Sequence, residues 1–160
     1  MNQIFVFLTT SVLLVSCNQN NTSTEKELTQ EHGLMVQQHD SIENELNVTE
    51  VNYLQLKTAY NSLKLLKSPR IDSLIQIEDS LIKIHHSKIF EHTALLQKHS
   101  ELEEMYKTKK LKKEQLTKDK ARIKKEHEQV LKEHNAIKNT EKDIYELLRK
   151  DLEVIRKSSL

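Results

Sequence analysis

One glycine (Gly33), one proline (Pro69), one cysteine (Cys17), no tryptophan and only 4% aromatic residues are spread over 160 positions. Each shortage excludes something. A sheet domain needs frequent turns, and turns draw on clusters of Gly, Pro, Asn and Asp. Outside residues 18–24 such clusters are nearly missing. A lone cysteine cannot close an internal disulfide. Catalytic pockets sit on loops held by a compact scaffold, and nothing here builds those loops. No nucleophile constellation, metal triad or glycine-rich phosphate loop is present, so the sequence predicts neither an enzyme nor a bound cofactor. What remains is rich in Leu, Lys, Glu, Ile and His, with 31% charged residues and a net charge of +1. That composition belongs to long helices.

A period of seven confirms the expectation of an all-α fold. Leu28, Met35, Ile42, Thr49, Leu56 and Leu63 recur every seven residues, and His32, His39, Leu46, Tyr53 and Tyr60 follow four behind the first five. This 4–3 spacing puts both rows on one stripe of a helix, as in a coiled coil. Thr24 to Glu27 reads as a capping box, which predicts helix 1 over residues 24–67. Ser68-Pro69 then suits a cap followed by a first helical turn. The phase slips there as well, since Leu63 and Leu74 stand eleven apart.

From Pro69 the register holds for over eighty residues. One row runs through Leu74, Leu81, Leu95, Leu102, Leu116, Ile123 and Val130; its companion carries Ile71, Glu78, His85, His92, His99, Tyr106, His127, His134 and Glu141. Two architectures fit. Either residues 69–157 form one long helix 2, or the chain turns near 107–113 into a third helix. The unbroken register and the absence of Gly or Pro favour the long helix. The thin apolar stripe and the crowded lysines there favour the turn. The fold class is therefore long heptad-patterned helices, as a coiled-coil hairpin or an elongated three-helix arrangement broken at Ser68-Pro69.

Seven of the eight histidines fall on the core rows, His86 being the exception. Duplication of a seven-residue unit explains this most simply. A pH-sensitive seam is a sharper reading, because buried imidazole resists charging near neutrality. Metal binding is a third. Histidines seven apart on one helix lie about 10.5 Å apart along its axis, too far to share an ion. A site would need His99 level with His127 and His92 level with His134 across a turn at residue 113, and antiparallel packing should set the His row against the aliphatic row instead. No metal is expected. Residues 105–125 hold ten Lys or Arg against two acids. Lys109, Lys110, Lys112 and Lys113 are the candidate anion contacts, the alternative being a solvated face or turn.

The N-terminus supplies an address. Ile4 to Val15 is twelve residues without a charge, too short to span a bilayer, and it ends in Leu14-Val15-Ser16-Cys17. This resembles the signal peptide and lipobox of bacterial lipoproteins, although the n-region Met-Asn-Gln carries no side-chain cation. The resemblance implies a signal peptide over residues 1–16, lipid attachment at Cys17, a short polar tether over 17–23, and a place in the bacterial envelope. Asn18, standing where Asp favours inner-membrane retention, points to the outer membrane where a cell has two. The small murein lipoprotein shares this plan, but the ending Lys-Ser-Ser-Leu departs from its C-terminal lysine. The expected role is structural or protein-interacting, with the membrane as one partner and, through the heptad seam, this chain or another envelope protein as the other. Neither nucleic acid nor a small-molecule substrate is expected. The alternative is an envelope sensor using its histidines for protons or metal.

Overall fold

The computed structural model describes residues 16–63 and 68–158, with side chains from residue 23 onward. Three helices account for nearly all of them: α1 (Ser16–Ser62), α2 (Pro69–Lys107) and α3 (Lys113–Ser158). No strand occurs among the described residues. Short connections fold α2 back on α1 and α3 back on α2, so α1 and α3 run parallel. The ion pairs fix this sense: Lys57 with Asp79 joins α1 to α2, Arg70 with Asp151 joins α2 to α3, and Lys120 with Glu27 joins α3 to α1.

The first break lies where the sequence placed it. Ser68 caps α2 in an extended conformation, its side chain accepts from the Ile71 N–H, and Pro69 opens the helix. Pro fits there because its missing N–H would have no helical partner. The buried Tyr60 hydroxyl clasps this turn, accepting from the Ser68 N–H at 2.8 Å and lying 3.2 Å from its carbonyl oxygen.

Of the two architectures that fit residues 69–157, the structure has the three-helix one: the chain leaves α2 at Lys107 and re-enters a helix at Lys113. Lys109 makes the reversal with φ of 56°, the left-handed conformation that glycine usually supplies. The register misled because the turn preserves the phase, leaving Leu102 and Leu116 fourteen residues apart on either side of it. Residues 17–23, expected as a polar tether, are helical and continuous with α1, which runs from Ser16 through Thr24. No Gly or Pro stands between them to stop it. Residues 1–15 of the expected signal peptide lie outside the described residues.

The core has two apolar ends. One cluster joins Leu28, Met35, Leu95, Leu102, Tyr106, Leu116, Ile123 and Val130; the other joins Tyr53, Tyr60, Ile71, Ile144, Leu148 and Leu152. Tyr60→Phe should cost about 1–3 kcal/mol, because it leaves the Ser68 N–H without its acceptor. Urea unfolding followed by helicity checks this, and an unchanged midpoint would mean that the clasp contributes nothing.

Candidate functional site: a polar column on the bundle axis

The companion rows of all three helices meet on the bundle axis. Because α1–α2 and α2–α3 are antiparallel and each row repeats every seven residues, the side chains fall into layers. His32 meets His99, with ring centroids 5.4 Å apart. In the next layer His92 takes His39 of α1 at 5.2 Å and His127 of α3 at 4.6 Å, the latter pair stacked at 23°. Then His85 packs on His134 at 4.6 Å, beside the buried Leu46. Beyond that layer lie Glu78 and Glu141, both fully buried, followed by the apolar cluster around Tyr60 and Ile71.

The His rows thus face one another, contrary to the expectation that they would oppose aliphatic residues. The pairs also differ by one heptad from those expected. His92 meets His127 and His85 meets His134, while His99 turns to His32. The turn is centred near residues 109 and 110 rather than 113, which shifts every pairing. His92, His99, His127 and His134 therefore form no single group. Among the described residues no set of three or more His, Cys, Asp or Glu is arranged to hold a metal ion.

Hydrogen bonding divides the column in two. At one end Nδ1 of His85 lies 3.0 Å from both Glu141 carboxylate oxygens, and its Nε2 lies 2.6 Å from Nδ1 of His134. An ionised carboxylate can only accept, so with Glu141 ionised and His85 neutral the His85 proton sits on Nδ1 and Nε2 accepts from His134. Elsewhere in the column hydrogen bonds are lacking, though His99 Nε2 lies 3.9 Å from the Glu31 carboxylate. Both ring nitrogens of His92 and His99, Nδ1 of His32 and His39, Nε2 of His127 and both carboxyl oxygens of Glu78 are buried with no hydrogen bond. Buried polar atoms in folded proteins are nearly always paired. This concentration is the most unusual feature of the chain.

Burial sets the charge states. It drives His92 down to about 4, helped by the neighbouring His127, His39 and His134. His99, His127 and His134 are also lowered, in each case chiefly by burial. Glu31 and Glu103 act against this at His99, and Glu45 and Glu141 act against it at His134. Burial, with Glu141 and Asp79 nearby, lifts Glu78 to about 8, so that it is protonated at neutral pH. At pH 7 the rings of His92, His99, His127 and His134 are therefore neutral, and so is the Glu78 carboxyl.

Sequence reasoning singled out the histidines but not Glu78 and Glu141. The signal was available, since both occupy the same heptad row. The four candidate lysines stand apart from this column. Lys109, Lys110 and Lys112 lie in the α2–α3 turn and Lys113 opens α3, all of them exposed. Cys17 lies in the first turn of α1, its side chain outside the described residues.

No family model, curated protein or solved structure matches the chain. The site is therefore interpreted on its chemistry alone.

The shifts fix the shape of the stability profile. The four lowered histidines ordinarily titrate near 6.5, so below that pH the unfolded chain binds more protons than the folded one. Stability falls with acid between about 6.5 and 4, by about 1.4 kcal/mol per pH unit for each proton so linked. Glu78 acts oppositely: its raised value means that stability falls as pH rises from 4.5 through 8. Four groups outweigh one below pH 6.5, so unfolding free energy should peak near neutrality and fall on both sides. Glu78→Leu should remove the alkaline decline and stabilise the bundle by about 1–3 kcal/mol. Urea titrations from pH 4.5 to 9 test both statements; a flat profile or a destabilised variant would contradict them.

Proposed function

We propose that the chain is a lipid-anchored helical-bundle protein of the bacterial envelope, with a structural or protein-interaction role and no catalytic one. The observation that carries this reading is Leu14-Val15-Ser16-Cys17 at the end of the uncharged stretch from Ile4 to Val15. Diacyl or triacyl modification at Cys17 gives lasting attachment, at about 0.8 kcal/mol per buried methylene. No described helix is long and apolar enough to cross a membrane. Asn18 favours the outer membrane where there are two. The bundle closes its seam within one chain, so a partner envelope protein, or a second copy, meets its outer faces rather than the seam.

A sensor role for the histidine seam is the second reading, and the nitrogens of His92 and His99 that lack hydrogen bonds favour it. Protons are the natural input, because the rings are held neutral against their ordinary titration.

The anchor is tested by mass. Protein extracted from bacterial membranes should begin at Cys17 and carry acyl chains, and Cys17→Ser should leave an unprocessed chain without them. A mature form that retains Met1, or lacks lipid at Cys17, would contradict the proposal.

A further inference from the structure

The α2–α3 turn spends stability on its lysines. Residues 107–113 read Lys-Thr-Lys-Lys-Leu-Lys-Lys, with no acid. Lys109 adopts a left-handed conformation in which glycine or asparagine is at ease. Lys112 sits at the start of α3, its carbonyl accepting from the Leu116 N–H, and Lys113 is the first helical residue. Cations are disfavoured at that end of a helix dipole, where Asp or Ser would help. Leu111 tucks against the apolar cluster that includes Tyr106 and Leu116, so the turn is held in place with its lysines outward.

Several nearby acids are already engaged, while Glu104 and Glu114 flank the turn and are exposed. Glu103 holds Lys107 at 2.6 Å, Glu27 and Glu31 hold Lys120 at 2.8 and 3.1 Å, and Asp119 holds Arg122 at 3.2 Å. Among the described residues Lys109, Lys110, Lys112 and Lys113 form no ion pair and are all exposed. The chain as a whole carries only +1, so the patch is local rather than a share of general basicity.

Its place in the fold identifies what it faces. Lys120 bonds Glu27 and Glu31 of α1. One heptad earlier, Lys113 comes level with the start of α1, roughly 10 Å along the axis from Cys17. The other turn of the bundle lies at the far end. The lysines thus crown the end of the bundle that bears the proposed anchor, and α1 is helical from Ser16. We infer that this turn is a second, electrostatic contact with the membrane: its four lysines bind anionic phospholipid headgroups and stand the bundle upright on the bilayer. The inference rests on the lipoprotein reading for its biological setting, while the charge contact itself does not depend on acylation. Acyl chain plus polybasic patch is a recurrent two-part mode of membrane attachment. Each lysine near an anionic surface strengthens binding about fivefold, and the effect decays within about 10 Å at ordinary salt.

The test compares partition of the full chain into phosphatidylcholine vesicles with and without phosphatidylglycerol. The ratio of the two cancels any apolar contribution from the N-terminal segment or an acyl chain. Wild type should prefer the anionic vesicles, and the quadruple variant Lys109→Gln, Lys110→Gln, Lys112→Gln, Lys113→Gln should lower the ratio at least tenfold with helicity unchanged. A control variant with Lys132, Lys142, Lys150 and Arg156 changed to Gln removes the same charge away from the turn and should keep the wild-type ratio. A wild-type ratio near one, or an equal loss in both variants, would overturn the inference. Neither result bears on Cys17, whose modification is read separately by mass.

Discussion

Imidazole against imidazole on the bundle axis is the contact to which the rest of the structure is fitted. Three helices sharing a seven-residue period must present one row each to the common axis, and in this chain that row is polar for much of its length. The layers of His32 with His99, of His39, His92 and His127, and of His85 with His134 bring rings within about 4.6–5.4 Å of each other. Such rings pack only while neutral, because charged ones at this spacing repel in a poorly screened interior. The apolar clusters at the two ends must therefore hold together a waist that contributes little itself. Leu28, Met35, Leu95 and Leu116 do so at the end bearing the α2–α3 turn; Tyr60, Ile71, Leu148 and Leu152 do so at the other.

Polar contacts around the axis fix its alignment. Tyr53 donates to Asp79 at 2.7 Å while Lys57 closes on the same carboxylate at 2.6 Å. Thr29 donates to Glu103 at 2.6 Å, and Lys138 holds Glu45 at 2.5 Å. Exposed pairs of this kind add little energy individually. A slip of one heptad, however, would break all of them at once and set apolar layers against Glu78 or His92. Register is thus specified by polar groups, while stability comes from apolar ones. A structure divided in this way gives up some stability at its centre, and the lysine-rich turn gives up more at one end. Local rules of folding are broken in both places, as is common where function places its own demands.

Much of this was legible in the sequence. The heptad rows name the buried residues, and Ser68-Pro69 names the first turn. The placement of histidines on the core row also follows from spacing alone. The second turn was legible only as one of two alternatives, because Lys109 takes a conformation normally signalled by Gly or Asn and because the turn keeps the heptad phase. Without its centre the layers could not be aligned, so His92 was matched to His134 rather than to His127. Thr24 has the chemistry of a cap, yet a helix with no breaker upstream simply continues through it. Glu78 and Glu141 sat in plain view on the core row; only burial makes the Glu78 carboxylate a neutral group.

Direct observation of ring protonation in the full chain is the decisive measurement. Nitrogen-detected NMR of the imidazoles, followed from pH 8 to 4, reports each histidine separately. The account predicts that His92 stays neutral through pH 6 and titrates only near about 4, together with loss of the bundle. A His92 that charges near 6.5 while the helices remain packed would show that the axis is open to water, and would contradict the buried neutral column.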